Sequence, residues 1–333
     1  MIITDVYLAP ESTGAPSAER ARLPGIEYAA RFGQRAVLVH GWRDWLARYL
    51  GREDLAALAP ARVAAALLAP GAGSDWIASP LRLSAALTRV HLDHRGLLRL
   101  TAEELTARAM SFGRTFAGSG LTLHPLPSGQ FLLRAAGIAP VASLEPARFA
   151  GGEVPALRSA GLQAAALRRT TSEIEMWLHA EGLVEASTGA GGLSANSLWL
   201  WGASGTDGDL ARRHAAQPAL GFGADPYLDG LWYLEGAQCA PVPGSLGTAL
   251  GAGARRTVLT LSVATELQES MSSTFTEALA RLDARFITPA LAALHQGTLA
   301  GVTLIANDVA LSVRRGSGLK LWRRPRAGLS SLA

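Results

Sequence analysis

The sequence predicts an α/β protein, because short apolar runs of strand length alternate with stretches whose apolar residues recur at helical spacing. The chain has 333 residues, which suggests two packed units, since one hydrophobic core rarely grows beyond about 250–300 residues. Hydrophobic residues make up 49% of the chain and charged residues 17%, a balance that excludes intrinsic disorder. A folded protein with a sizeable core is therefore expected.

One strand followed by helices is predicted in the first 76 residues. An extended apolar stretch covers residues 2–8, and a second short apolar run covers 37–40. The residues that share one face of the next stretch are Trp42, Trp45, Leu46 and Tyr49. Their spacing predicts a helix over 42–50.

A small α+β unit is predicted over residues 77–140. Thr101 and Glu104 form a capping box, in which each side chain satisfies an amide of the first helical turn, so a helix is expected over 102–115. Extended stretches flank this helix at 90–100, 121–123 and 130–134. The mixture of one helix and several strands indicates a subdomain distinct from the rest of the chain.

A linker rich in Pro, Gly and Ala is predicted over residues 141–160, followed by a helix over 161–182. The run Asn-Ser-Leu-Trp-Leu-Trp-Gly at 196–202 shows no polar alternation, which is typical of a strand buried on both faces. We therefore expect a central strand there.

The last third of the chain is predicted to hold a helix and a pair of strands. Thr274 and Glu277 form a second capping pair, so a helix should begin at about residue 275 and be disturbed by Pro289. Strands are expected over 302–305 and 309–313, joined by a turn at Asn307-Asp308.

The cysteine count and the apolar runs limit the compartment and the kinds of site. Cys239 is the only cysteine, which excludes an intrachain disulfide and any site with several thiolate ligands. No apolar run approaches the roughly 18 residues of a membrane span, and residues 1–9 lack the features of a secretory signal. A cytoplasmic protein without membrane contact is expected.

The basic residues are almost all arginines, with a formal net charge of +4. Arginine can hold phosphates and carboxylates, but the same bias arises in a GC-rich bacterial genome without selection for anion binding. A cluster beside Trp322 contains Arg314, Arg315, Lys320, Arg323, Arg324 and Arg326. We favour a charged sheet edge there over a nucleic-acid site or a site for an acidic partner.

Two histidines and an aspartate lie close together in the sequence at His91, Asp93 and His94. A helix would place both imidazoles on one face, where they could hold a metal ion. The segment has the pattern of a strand, which leaves only His91 and Asp93 on one face. We therefore predict no metal site, and retain His91 and Asp93 as candidates for binding a ligand.

A second candidate site follows the apolar run at 196–202. Glycines three residues apart could form a loop between a strand and a helix start at 210–214, with free amides around a phosphate. The Lys-Ser/Thr ending of a nucleotide loop is missing, so an ordinary loop is the alternative interpretation. The candidate ligand-binding residues are Asn196, Ser197, Gly202, Ser204, Gly205, Asp207 and Arg212. No residue is assigned a catalytic role, because the chain has no Gly-x-Ser-x-Gly elbow.

Three stretches together resemble the bacterial RpfE-type regulatory proteins, which are often described as cofactor-independent phosphoglycerate mutases. They are Ser-Pro-Leu-Arg-Leu at 79–83 continuing through Val-His-Leu-Asp-His at 90–94 to the 100–117 segment, Ile-Glu-Met-Trp-Leu-His at 174–179 with the run at 196–202, and Leu-Lys-Leu-Trp-Arg-Arg-Pro at 319–325. The run at 196–202 and the terminal Trp-Arg-Arg-Pro are the most specific of these.

The family is in turn similar to archaeal-type phosphoglycerate mutases of the alkaline-phosphatase superfamily. This resemblance implies a mostly parallel sheet flanked by helices, formed by residues 1–76 and 141–333, with 77–140 as an inserted α+β subdomain. It also implies a serine nucleophile and two divalent cations held by Asp and His residues. This chain has Ala-Pro-Glu at 9–11 where the family has Asp-Gly, and His295 is its only histidine after residue 250.

The resemblance and its departures lead to three hypotheses. The first is a regulatory or ligand-binding pseudoenzyme that lacks the two-metal centre, takes no cofactor and binds a small phosphorylated ligand or a protein partner. The second is an active phosphomutase or phosphatase whose site is rebuilt from His91, Asp93, Asn196, Ser197, Asp207 and Asp209. The third is a binder of nucleic acid or an acidic partner through the arginine-rich terminus, for which nucleic acid is the less favoured occupant. The oligomeric state does not follow from the sequence.

Overall fold

A computed structural model describes residues 1–6, 22–85, 89–154, 162–180, 195–205, 210–213, 219–251, 255–270 and 272–319. The chain divides into two compact units. The first unit comprises residues 1–56, 215–223 and 239–333, and the second comprises 57–214 and 224–238. Each unit contains its own sheet and its own helices, so the expected α/β class is confirmed.

The described strands are β1 (Ile2–Val6), β2 (Gln34–Val37), β3 (Ser74–Ala85), β4 (Val90–Leu97), β5 (Leu121–Pro125), β6 (Phe131–Ala135), β7 (Gly152–Val154), β8 (Ser197–Gly205), β9 (Leu220–Phe222), β10 (Cys239–Ala240), β11 (Thr257–Thr260), β12 (Gly301–Ala306) and β13 (Val309–Arg314). The described α-helices are α1 (Pro24–Phe32), α2 (Gly41–Leu50), α3 (Glu53–Ala56), α4 (Pro60–Ala64), α5 (Ala102–Thr115), α6 (Leu162–Ala180), α7 (Pro226–Leu234), α8 (Leu246–Leu250), α9 (Val263–Glu269), α10 (Phe275–Leu282) and α11 (Thr288–Gln296). Among the residues described, no helix combines the length and the apolar character needed to cross a membrane.

The sheet of the first unit is mostly parallel. Its strand order is β10-β9-β11-β1-β12-β13-β2, and the pairs from β10 to β12 are parallel. The hairpin of β12 and β13 and the pairing of β13 with β2 are antiparallel. Asn307 has a φ of 51° in the hairpin turn, which is the left-handed conformation expected for that position. A core of aliphatic residues on one face of this sheet packs against α1 and α8 to α11.

A buried aspartate anchors α1 within the first unit. Leu23 at the N-terminus of α1 provides no side-chain cap, but Asp283 accepts hydrogen bonds from the backbone amides of Gly25 and Ile26 at 3.0 and 2.8 Å. The Thr288 hydroxyl also donates to this carboxylate at 2.9 Å. A Cβ at Gly25 would lie 2.7 Å from an Asp283 oxygen, so only glycine permits this close approach. A carboxylate at a helix N-terminus is favoured by the helix dipole as well as by the amides.

The second unit contains an antiparallel sheet built around β3, with the order β5-β6-β3-β4-β7. The first half of β3 pairs with both β6 and β8, and its carboxyl end pairs with β4. One face packs against α5 and α6 through a core that includes Trp76, Phe112 and Trp177. The opposite face packs against α4 through Ile77, Leu132 and Trp201.

The strand predicted over the apolar run at 196–202 is present as β8, but its predicted place in the parallel sheet is wrong. It pairs antiparallel with β3, in the second unit. Its apolar character arises because one face contacts the α5 and α6 core and the other contacts α4. The second unit is consequently larger than the predicted subdomain at 77–140, because β8 and its neighbours pair with that segment.

Local signals predicted the helices accurately. Both capping boxes are present, at Thr101 with Glu104 and at Thr274 with Glu277. The helix that begins at Phe275 passes through a π-helical turn at Asp283–Ile287 just before Pro289, where a disturbance was expected. The structure adds a strand that was not predicted, β2 at Gln34–Val37, and the chain turns at residues 39–40 within the second apolar run. The predicted linker contains a 3₁₀ turn at Pro146–Phe149 and β7.

Candidate functional site

His91 and Asp93 lie on β4 with the alternation that a strand predicts. Both are exposed and the intervening Leu92 is buried. Asp93 accepts a hydrogen bond from the amide of Arg95 at 2.8 Å, and the ladder between β3 and β4 is irregular across this segment. His94 packs its ring against Gly151, and burial is the main cause that lowers its pKa. Asp93 and His94 are thus both engaged within the chain.

Asn196 and Ser197 hold β8 in place. The Asn196 amide accepts a hydrogen bond from the Leu83 nitrogen and donates one to the Leu83 oxygen, both at 2.8 Å. This side chain therefore extends the ladder between β8 and β3. The Ser197 hydroxyl donates to Glu175 on α6 at 3.0 Å, which joins the helix to the sheet. Both side chains serve packing within the second unit.

The predicted glycine loop is wrong for the residues that the structure describes. Gly202 and Gly205 are part of β8, where an extra residue is accommodated opposite Asp75–Ile77. Gly202 has a φ of 63° at this bulge, and a Cβ there would lie 3.1 Å from Pro60. Residues 210–213 are not helical, so they do not provide a helix N-terminus for a phosphate. Asp207 and Asp209 lie outside the described residues.

Arg212 and Ser204 also have defined surroundings. The Arg212 side chain donates to the backbone oxygen of Tyr233 at 3.1 Å, and its guanidinium stacks on the Tyr233 ring. Ser204 pairs with Asp75 in the ladder, and its hydroxyl is buried without a hydrogen-bond partner. His91 and Asn196 lie on opposite sides of β3, so the structure does not gather the residues of the rebuilt enzyme site around one point. Of the arginine-rich cluster, only Arg314 and Arg315 are among the described residues.

A polar row crosses four strands on the face of the second sheet that contacts α4. Asp75 is fully buried and accepts two hydrogen bonds from Arg134, from Nε at 2.8 Å and from Nη2 at 3.2 Å. Arg134 donates a third hydrogen bond to the Ala69 oxygen at 3.0 Å. Ser204 lies beside Asp75, and Thr122 lies beside Arg134. The Arg134 fork is largely committed within the chain, which indicates a structural ion pair.

His124 lies at the end of this row. Its Nε2 is 2.9 Å from the Thr122 hydroxyl. Burial lowers the pKa of His124, the neighbouring charge of Arg134 lowers it further, and Asp75 opposes both. His124 is therefore favoured as a neutral imidazole at neutral pH.

A second polar group lies where α7 meets the turn between β5 and β6. Asp225 caps α7 by accepting a hydrogen bond from the Leu228 amide at 3.1 Å, and Asp229 follows one helical turn later. Both are buried, as is Ser128 in the turn. Oδ2 of Asp229 has no hydrogen-bond partner among the described residues, while the backbone and side chain of Ser128 lie close enough to hydrogen-bond to this carboxyl group. We call Asp225, Asp229, Ser128 and the nearby Arg99 the Asp229 cluster.

The Asp229 cluster contains the most strongly perturbed titratable group that the structure describes. Burial raises the pKa of Asp229 from 3.8 to about 7, and the neighbouring Asp225 carboxylate adds to the rise. Ser128 and Arg99 oppose the rise but do not cancel it. A carboxyl group with a pKa near neutrality can bind or release a proton under physiological conditions.

The carboxyl ends of parallel strands are the usual ligand-binding edge of an open α/β sheet. In the first unit this edge includes Thr4 of β1 and Thr260 of β11, which are paired neighbours. Both are buried, and neither hydroxyl has a hydrogen-bond partner in the part of the chain that the structure describes. Gly223 at the end of β9 approaches Thr260 so closely that a Cβ would lie 2.7 Å from its Cβ atom. At the end of β12, Asn307 and Asp308 form the hairpin turn.

The two cations that the family resemblance implies require several convergent carboxylates and imidazoles. Within the described parts of the chain, no three His, Cys, Asp or Glu side chains come together as a metal site. His295, the only histidine after residue 250, lies 3.0 Å from the Tyr28 hydroxyl and contacts the Tyr28 ring edge-on. Thr260 ends β11, and Thr4 lies opposite it, two residues before the end of β1. The donor set described does not fit a two-metal centre.

Sequence analysis missed Asp75, Arg134 and the Asp229 cluster. Asp75 directly precedes the apolar run Trp-Ile-Ala, and Asp229 lies within the largely apolar helix α7. A lone acid in such an apolar stretch is a signal of a buried carboxyl group. That signal identifies the acid but not its partners, because Arg134 and Ser128 are distant in the sequence.

Comparisons with known proteins give distant likenesses in fold. The chain is similar to the cofactor-independent phosphoglycerate mutase from Thermoplasma acidophilum, with 13% identity, a TM-score of 0.37 and coverage of 93% of this chain and 86% of that chain. It is also similar to the PH0037 protein from Pyrococcus horikoshii, with 14% identity, a TM-score of 0.43 and coverage of 89% and 80%. No protein-family model matches the chain, and no curated protein matches it. The α/β class therefore follows from the sheet topology rather than from these likenesses.

Proposed function

We propose that this chain has a phosphoglycerate-mutase-like scaffold without the two-metal centre, and acts in the cytosol as a regulatory protein that binds a small phosphorylated ligand. The resemblance of its sequence to the RpfE-type proteins supports the scaffold. The threonine hydroxyls near the carboxyl ends of β1 and β11 support a function other than metal-dependent catalysis. The observation that carries the proposal is the pair of buried hydroxyls at Thr4 and Thr260, on adjacent strands, neither of which has a hydrogen-bond partner among the described residues.

The hydroxyl pair is suited to hydrogen bonding with an anion, whereas a cluster of carboxylates is suited to binding divalent cations. Carboxylates hold divalent cations, whereas a threonine hydroxyl can donate a hydrogen bond to a phosphoryl oxygen without a cation. A buried hydroxyl without a partner costs free energy, about 1–3 kcal/mol, so an acceptor beyond the described residues would stabilise this pair. A phosphoryl oxygen at the carboxyl edge would meet that need.

Metal content and turnover test the loss of the two-metal centre. Purified protein should contain less than one equivalent of Mn, Zn and Mg in total by elemental analysis. It should show no turnover in phosphoglycerate mutase and phosphatase assays with these metals added. Stoichiometric metal together with turnover would contradict the proposal and favour an active enzyme with a rebuilt site.

Thr260→Val tests the role of the hydroxyl pair. The substitution keeps the shape of the side chain and removes a buried hydroxyl without a partner, so we expect the free energy of unfolding to rise by about 1 kcal/mol. The rise in melting temperature that phosphoglycerate or inorganic phosphate gives the unaltered protein should become smaller. Thr303→Val is the matched control on β12, because its hydroxyl contacts Ser312 at 3.1 Å and its loss should lower stability without changing the response to phosphate. Equal responses in Thr260→Val and the unaltered protein would refute the role.

A further inference from the structure

A positively charged side chain lies on the buried face of α5 in the second unit. Arg108 is 5% exposed, and the other buried residues of this helix are Leu105, Ser111 and Phe112. Arginine is almost never buried to this degree unless an acceptor or a counter-charge accompanies it. We therefore expect an acceptor close to the Arg108 guanidinium.

The described residues provide no such acceptor. Nη1 of Arg108 is fully covered and has no hydrogen-bond partner, and the guanidinium forms no ion pair with any residue that the structure describes. Arg134 shows the usual arrangement, because its Nε and Nη2 both donate to the buried Asp75. An unpartnered buried polar group costs free energy, and the cost is larger when the group is charged. An acceptor from outside the described chain would therefore stabilise Arg108.

The one carboxylate whose charge acts on Arg108 is committed elsewhere. Glu104 lies one turn earlier on α5, and its charge opposes the burial that lowers the pKa of Arg108. Its Oε2 accepts a hydrogen bond from the Thr101 amide at 2.8 Å in the capping box that begins the helix. Arginine stays protonated at physiological pH even where its pKa is lowered. The buried positive charge of Arg108 therefore persists without an ion pair.

A hydroxyl donor lies beside Arg108 on the same face of α5. Ser111 follows it by three residues, a spacing at which helical side chains are neighbours. Its Oγ accepts a hydrogen bond from Nε1 of Trp177 on α6 at 3.3 Å, and no described residue accepts its own proton. The Trp177 ring meets the Phe112 ring edge-on, with 5.2 Å between the ring centroids. Arg108 and Ser111 can thus both donate hydrogen bonds beside aromatic rings, where electrostatic attraction is stronger than in water.

We propose that Arg108 and Ser111 form a binding site in the second unit for a small oxyanion, either a phosphate or a carboxylate. The paired N–H donors of a guanidinium match the oxygen atoms of both groups, and the Ser111 hydroxyl adds a further donor. Only 5% of Arg108 is open to solvent, which suits a small anion rather than a protein surface. The site does not involve the Thr4 and Thr260 hydroxyls of the first unit, so it stands independently of the proposed function.

Nitrogen-15 NMR of the full-length protein tests the proposal at the side chains concerned. The Nε–H resonance of Arg108 should shift saturably as inorganic phosphate or acetate is added. The indole N–H resonance of Trp177 should shift with it, because Trp177 donates to Ser111. Sodium chloride at the same ionic strength is the control and should give no saturable shift.

The two anions distinguish the sources of the ligand. A saturable shift with phosphate supports a phosphoryl ligand, and a saturable shift with acetate supports a carboxylate ligand. If neither anion shifts the Arg108 resonance saturably, the proposal is overturned, whether or not any variant folds.

Arg108→Met provides the second test, because it keeps a long side chain and removes the buried charge. The melting temperature of the anion-free protein should rise, since an apolar side chain has no charge to desolvate. The anion that shifts the Arg108 resonance should raise the melting temperature of Thr260→Val, in which the first unit has lost its hydroxyl. This rise should disappear when Arg108→Met is added to Thr260→Val.

Arg114→Met is the matched control, because it removes an exposed arginine from the same helix. Added to Thr260→Val, it should leave the rise in melting temperature unchanged. A rise that survives Arg108→Met in the Thr260→Val protein would overturn the site. Failure of the proposed function does not alter this result, since every comparison is made without the Thr260 hydroxyl.

Discussion

Two ion pairs between arginine and a carboxylate in the second unit differ in how far they are exposed to solvent. Asp75 and Arg134 have side chains that are 0% and 13% exposed, whereas Glu153 and Arg89 are 51% and 68% exposed. An exposed pair gains little from its charges, because water screens them and side-chain entropy is lost. A buried pair is costly to break, since one removed partner leaves the other charge without compensation.

Asp75→Asn should therefore lower the free energy of unfolding by about 3 kcal/mol, because Arg134 remains buried without its counter-charge. Glu153→Gln removes a carboxylate of the exposed pair and should change stability by less than about 0.5 kcal/mol. Urea unfolding at pH 7 measures both. Equal losses in the two variants would show that burial does not govern the strength of these pairs.

Sequence analysis selected polar residues that are close together in the sequence and overlooked the buried carboxyl groups. His91, Asn196 and Ser197 attract attention because polar residues cluster near them in the sequence. In the structure, Asn196 hydrogen-bonds to the backbone of β3 and Ser197 hydrogen-bonds to Glu175 on α6. Both contacts stabilise the packing of β8. Asp229 is isolated among apolar residues and acquires its neighbours only when the turn at Ser128 folds against α7.

At the scale of elements, local rules were enough for helices and not for strand pairing. Thr101 and Thr274 form capping boxes with glutamates three residues later, so a short window of sequence is enough to predict where each helix begins. The partner of β8 is β3, more than a hundred residues earlier, and both strands are covered by core on each face. Apolar continuity therefore predicted the burial of β8 correctly and its sheet incorrectly.

Two glycines of the second unit should respond oppositely to replacement by alanine. Gly113 lies on the exposed side of α5 with nothing near an added Cβ, so Gly113→Ala should stabilise the protein by about 0.5–1 kcal/mol. Gly202 has a positive φ in the β8 bulge and faces Pro60, so Gly202→Ala should cost about 1–2 kcal/mol. Thermal unfolding of both variants measures the difference, and a stabilising Gly202→Ala would disprove the bulge argument.

At the scale of the whole molecule, the two sheets differ in how far apart their partners lie in the chain. The amine of Met1 donates to the Gly301 oxygen, 300 residues away, where β1 meets β12. Asp75 and Arg134 are 59 residues apart. Closing the longer loop costs about 1.5 kcal/mol more in chain entropy, and long-range contacts slow folding.

The second sheet should therefore form before the first during refolding. Pulse-labelled hydrogen exchange should show protection of amides in β3 and β6 earlier than protection of amides in β1 and β11. Simultaneous protection of both sheets, or earlier protection of β1, would contradict this order. The measurement uses the complete chain and needs no truncation.

The position of β1 between β11 and β12 has a consequence for biosynthesis. During translation, β1 leaves the ribosome long before either of its neighbours has been made, and the entire second unit is synthesised in between. Ile2 and Ile3, which are buried in the folded protein, remain exposed and accessible to chaperones for most of that interval. Translation that stops before β11 would release a polypeptide in which β1 has no partner strand. Such a fragment exposes an unpaired apolar strand and is prone to aggregate.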